Sequence, residues 1–169
     1  MTARSDGYHA AAWVVAGGLV AGTLDITYAW AFWALKAGVT AQRVFQSVAA
    51  GLLGRASFEG GVATAALGLG LHYFIATTMS VAYFLVATAT RLEVLRRRVV
   101  LCGAAYGLLL YLIMRYIVVP LSAAGGGGSG GALWVSLSIL VHMFLIGVPM
   151  ALATRLATKA GRPQAEDGS

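Results

Sequence analysis

Asp25, His72, Arg115 and His142 are the residues whose chemistry most needs explaining. Each is the single charged or imidazole side chain in a long apolar segment. An ionisable group in such a segment is costly in lipid unless it is paired or used. A carboxylate near imidazoles can hold or pass a proton, since imidazole titrates near neutral pH. In that reading Asp25 is the coupling carboxylate and His72 and His142 are relay or ligand groups, while Arg115 tunes the carboxylate or binds an anion. The competing reading is structural: Asp25 and Arg115 form a buried ion pair that fixes helix register, and each histidine bonds a nearby carbonyl or hydroxyl. A third chemistry makes His72 and His142 the axial ligands of a b-type haem. Zinc would want more ligands than Asp25, His72 and His142 supply, so the expectation is no metal and no resident cofactor.

Composition fixes the class of protein that carries these residues. Of 169 residues, 59% are hydrophobic and 11% charged, with mean hydropathy +0.80. Soluble domains average about 25% charged residues, so this chain has too few polar groups to cover a soluble surface, and one membrane domain is expected. The net charge of +6 matters through its placement. No basic stripe with interleaved aromatics lies outside the apolar segments, which argues against nucleic acid. The one cysteine, Cys102, cannot close an intramolecular disulfide and reads as a small buried thiol. Walker A, G-x-S-x-G and H-E-x-x-H motifs are absent, so no enzymatic activity is expected. The apolar run after the polar stretch Met1–His9 exceeds a signal-peptide core of about 7–15 residues and reads as a retained first span.

Four spans are expected, at about 12–35, 62–90, 99–121 and 132–153, each longer than the roughly 20 residues that cross a hydrocarbon core. The fold class is therefore all-α, an integral membrane four-helix bundle. Arg4, Arg91, Arg96, Arg97, Arg98, Arg155, Lys159 and Arg162 fall on one side and Lys36, Arg43 and Arg55 on the other. Eight against three predicts cytoplasmic termini and a cytoplasmic Arg-rich turn. Trp13, Trp30, Trp33 and Trp134 all fall near a predicted interface, where indole is favoured. The segment at about 40–58 repeats Val44, Val48, Leu52 and Ala56 on one side and predicts an external amphipathic helix lying on the outer leaflet. Gly125–Gly131 resembles a flexible linker, and Gly161–Ser169 reads as a disordered cytoplasmic tail.

Small residues mark the faces on which these spans pack. Gly18 and Gly22, Gly103 and Gly107, and Gly147 with Ala151 stand four apart, a spacing that lets helix backbones approach closely in lipid. Asp25 shares the face of Gly18, Ala21 and Gly22, and His72 that of Ala65, Gly68 and Ala76. Asp25, His72 and His142 each stand ten residues from a predicted outer end, about 15 Å deep, and Arg115 six residues, about 9 Å. Arg115 can thus reach inward to Asp25 or outward to Glu59. Leu71-His72-Tyr73-Phe74-Ile75 echoes Val141-His142-Met143-Phe144-Leu145, as two parallel repeats would.

The run Leu71-His72-Tyr73-Phe74-Ile75-Ala76, the Gly103/Gly107 spacing, Pro120 closing the third span and Val141-His142-Met143-Phe144 before a basic C-terminal end together resemble small bacterial inner-membrane proteins of the YagU type. The resemblance covers most of spans two to four and implies a bacterial inner-membrane location without a settled activity. The function expected is that of a multi-pass membrane protein linked to proton or small-solute handling through its Asp/His/Arg cluster. The alternative is a structural or partner-stabilising subunit. Expected partners are the lipid bilayer and a second copy or another membrane protein.

Overall fold

The computed structural model describes residues 2–90, 93–125 and 130–160, and among these it is helical throughout, with no strand. Arg91, Arg162, residues 126–129 of the glycine run and the 161–169 tail lie outside the described residues. The helices are α1 (Thr2–Ala37), α2 (Ala41–Leu53), α3 (Gly61–Ala89), α4 (Glu93–Arg97), α5 (Val99–Leu121) and α6 (Gly131–Ala160). Helices α1, α3, α5 and α6 are each long and apolar enough to cross a membrane. Large apolar side chains also face away from the bundle, among them Leu19, Phe74, Leu85, Leu109 and Phe144. A helix apolar all round needs an apolar environment on its outer side, which a bilayer supplies. Helix α6 continues past the 132–153 segment, because Thr154 to Ala160 keeps helical geometry as a more amphipathic turn carrying Arg155 and Lys159.

Glycines set the spacing inside the bundle. A Cβ on Gly18 would fall 2.6 Å from the Thr77 backbone, and one on Gly22 would fall 3.1 Å from the Tyr73 ring, so α1 and α3 meet closely there. Gly17 faces Ala153 of α6. Gly107 lies against the His142 carbonyl and Gly147 against the Gly103 carbonyl, which brings α5 and α6 into backbone contact. Such approaches gain dispersion contacts that larger side chains would block.

These contacts also reveal a repeated register. In α1–α3, the first glycine of the pair meets the residue five after the histidine (Gly18 with Thr77), and the second meets the residue one after it (Gly22 with Tyr73). In α5–α6, Gly103 meets Gly147, again five after His142, and Gly107 meets Met143, one after it. The likeness is partial, since the atoms nearest Gly103 and Gly107 belong to Val148 and His142; aligning the two glycine pairs sets Asp25 of α1 in the place of Leu110 of α5.

Helix α2 has no counterpart in the second hairpin. Thr40 caps its start, with Oγ1 accepting from the Arg43 backbone N–H, and Gly54 ends it at φ +62°. It lies against α3, closest where the Phe45 carbonyl meets Gly68. Its packed face is Val44, Gln46, Ala49 and Ala50 rather than the Val44–Val48–Leu52 stripe, and Leu52 and Leu53 point outward. Backbone proximity decides this face: the Phe45 carbonyl and the Ala49 nitrogen occupy the space that a side chain at position 68 would need. The buried Gln46 amide is accommodated because its Nε2 donates to the Gly61 carbonyl and the Thr64 hydroxyl.

Two stretches of wider helical winding, Met114–Val118 and His142–Gly147, interrupt α5 and α6. Each lies just before a proline, Pro120 or Pro149. A proline supplies no N–H to the carbonyl four residues back and its ring crowds that carbonyl, so the preceding turn opens. Helix α5 ends at Leu121, one residue after Pro120, at the expected end of the third span.

Candidate functional site

A cavity of about 620 Å³ opens among α1, α3, α5 and α6. Asp25, His72 and His142 all line it, together with Tyr28, Ser138 and Trp134. Helix α2 contributes Ser47, Val48, Ala50 and Gly51 to one end, where the Ala123 N–H donates to the Gly51 carbonyl at 3.0 Å. That bond ties α2 to the chain leaving α5 beside the cavity.

Both histidines are oriented by backbone carbonyls. His72 Nε2 lies 2.8 Å from the Gly22 carbonyl oxygen, and His142 Nδ1 lies 2.8 Å from that of Ser138, one turn earlier in its own helix. A carbonyl only accepts, so Nε2 of His72 and Nδ1 of His142 must carry the hydrogens. The nitrogens left for a proton or ligand are Nδ1 of His72 and Nε2 of His142. Each ring is also fixed by an edge-on aromatic neighbour, Tyr73 at 5.7 Å from His72 and Tyr111 at 5.3 Å from His142.

Asp25 stands half-buried in α1, and no lysine or arginine among the described residues makes an ion pair with it. Tyr28, three residues on and so on the same side of α1, reaches across to α6, where its hydroxyl shares a 3.3 Å hydrogen bond with Ser138 Oγ. The Tyr28 ring stacks on Trp134 at 5.3 Å and 8°. Phe32 and Trp33 pack behind that pair. Lys36 closes the cluster, with Nζ 5.4 Å from the Phe32 and Trp33 ring centres and donating to the Gly130 carbonyl at 2.7 Å. Trp33 and Trp134, read from the sequence as interface residues, are thus half-buried and join α1 to α6.

Arg115 stands apart from this group. It does not line the cavity, and the ion pair expected with Asp25 does not form. Nor does Arg115 pair with Glu59, which is exposed. The ion pair found among the described residues is Glu93–Arg97 at 2.8 Å, on the surface of α4. Leu110, Met114, Val118 and Val119 of α5 line the cavity, whereas Arg115, between them in the chain, does not. A guanidinium on a long stem can be held away from such an apolar wall. The turn near Glu59 is held instead by Arg43, whose Nη1 donates to the Phe58 carbonyl and whose guanidinium lies 4.4 Å over the Phe58 ring.

The chain matches no family model, no curated protein and no solved structure. Chemistry must therefore be read from the cavity itself. Its wall offers one carboxylate, two imidazoles with one ring nitrogen each not bonded to a carbonyl, and the linked Tyr28 and Ser138 hydroxyls. No group of three or more His, Cys, Asp or Glu side chains among the described residues gathers closely enough to hold a metal ion. Sequence reasoning missed Tyr28 and the contribution of α2. Tyr28 was discoverable as the aromatic one turn from Asp25; the position of α2 had no local signal.

Proposed function

We propose that this protein is a multi-pass membrane protein that moves protons or a small solute through its central cavity, with Asp25 as the coupling carboxylate. The observation that carries this reading is the cavity wall, which holds Asp25, His72 and His142 and no lysine or arginine. A carboxylate exposed to an internal cavity without a cationic partner can bind a proton or a cation, whereas a carboxylate held in an ion pair is already neutralised. The free nitrogens His72 Nδ1 and His142 Nε2 are the proton-accepting groups on α3 and α6. The Tyr28–Ser138 hydroxyl pair bridges from the Asp25 helix to the His142 helix and can relay a proton between them.

Location belongs to the same proposal. The eight-to-three placement of lysine and arginine supports cytoplasmic termini, and the resemblance to YagU-type proteins supports a bacterial inner membrane. Reporter fusions within the Arg96–Arg98 turn test the orientation; an external signal there overturns it.

Reconstitution into liposomes that enclose a pH-sensitive dye tests the activity. An imposed gradient should collapse faster with the wild-type protein than with Asp25→Asn, both eluting as monodisperse species. Equal rates for the two proteins would remove Asp25 from the mechanism. An absorption spectrum of the same preparation with a Soret band would reassign His72 and His142 to haem.

A further inference from the structure

The cavity also specifies what kind of solute it can hold. We propose that it is a binding site for an apolar organic cation, a quaternary ammonium or phosphonium carrying hydrocarbon or aromatic groups, with Asp25 as counter-charge and the Tyr28–Trp134 pair as the aromatic wall. This rests on the reading of the cavity as the solute-handling site.

Charge decides the sign. Asp25 is the one carboxylate on the wall, and neither Lys36 nor Arg115 reaches the cavity. An anion would meet no cationic side chain there. Wall chemistry decides against a hard metal ion: Met79, Met114, Met150, Leu110 and Ile75 give the cavity a soft, apolar lining without the oxygen ligands that would replace a hydration shell. A hydrophobic cation needs no such replacement, and it is attracted by the faces of tyrosine and tryptophan as well as by the carboxylate. The Tyr28 and Trp134 rings are nearly parallel and braced by Phe32 and Trp33, so this wall is already ordered.

A second observation comes from the other hairpin. When Gly18 and Gly22 are aligned with Gly103 and Gly107, the place of Asp25 is taken by Leu110, which lines the same cavity and is buried in the core. Asp25 breaks the likeness of the two hairpins at the one point where a charge faces the cavity.

Tetraphenylphosphonium and tetraphenylborate, alike in shape and opposite in charge, provide the test on the intact purified protein in lipid nanodiscs by equilibrium dialysis. Saturable binding of tetraphenylphosphonium with none of tetraphenylborate is the expected result, and Asp25→Asn should weaken it by roughly tenfold or more. Equal binding of the two ions, or preference for the borate, overturns the proposal. Unchanged tetraphenylphosphonium binding in Asp25→Asn does so too. Should that variant not fold, the contrast between the two ions on wild-type protein decides alone. Proton flux without cation binding rejects this inference and leaves the proton reading standing; loss of both rejects both.

Discussion

At the scale of single residues, the two histidines separate donor from base. His72 is held by its Nε2–H on the Gly22 carbonyl, which leaves Nδ1 as its basic nitrogen. Glutamine at this position keeps an amide donor for the same carbonyl but has no basic nitrogen. His72→Gln should therefore melt close to wild type in detergent while losing gradient collapse in liposomes. His72→Leu removes the bond as well and should lower stability by roughly 0.5–1.5 kcal/mol in the same melting measurement. A glutamine variant with wild-type flux would make the histidine purely structural. Asp25, His72 and His142 were legible in the sequence because each is a polar group in a long apolar run, where chance alone rarely leaves one. Arg115 looked like their equal for the same reason. Counting residues from a span end gives depth but leaves the direction of a long side chain undefined, and Arg115 does not line the cavity although Met114 beside it does.

At the scale of elements, glycine is used where backbones touch, and the cost of enlarging it depends on what lies opposite. A methyl group on Gly107 would run into the His142 carbonyl, which belongs to a helix backbone and cannot yield as a flexible side chain would. Gly107→Ala should cost about 1–3 kcal/mol of stability by forcing α5 and α6 apart. Gly70 has open space at the same distance, so Gly70→Ala should be neutral or raise the melting temperature slightly through better helix propensity. Thermal unfolding of both variants, followed by size-exclusion loss, tests the contrast; similar behaviour would mean that the α5–α6 contact is not as close as the Gly107 geometry requires. The spacing Gly-x-x-x-Gly shows in the sequence which side of a helix is small, but not which helix fills the gap. Gly18 and Gly22 face α3 while Gly17, their neighbour, faces α6, a division that follows from how three helices share one surface. The amphipathic stripe of α2 misled for a related reason: its packed face follows the closest backbone approach, and a buried glutamine is tolerated once Gly61 and Thr64 satisfy it.

At the scale of the whole molecule, α2 and the chain leaving α5 line the cavity together with the four long helices, and the Gly51–Ala123 bond joins them. A Cβ placed on Gly51 would lie 3.9 Å from that of Ser122, close to the roughly 3.8 Å that a disulfide favours. In a Cys102→Ser background, Gly51→Cys with Ser122→Cys should oxidise readily, which thiol alkylation would report as protected cysteines. If this end is a gate, the oxidised protein should lose gradient collapse and regain it on reduction; flux that ignores the bridge would place the path elsewhere. Sequence by itself determined the all-helical class, the four membrane-length segments, the amphipathic helix between the first two and the short list of polar groups within the spans. These follow from hydropathy, helical period and turn chemistry, which are local properties of the chain. Only the tertiary structure decided that Asp25, His72 and His142 face one cavity without Arg115, that carbonyls fix both imidazole tautomers, and that Tyr28 and Trp134 form its aromatic wall. Those outcomes depend on helix rotation and on which glycine meets which backbone, and in lipid no polar-versus-apolar contrast writes that rotation into the sequence.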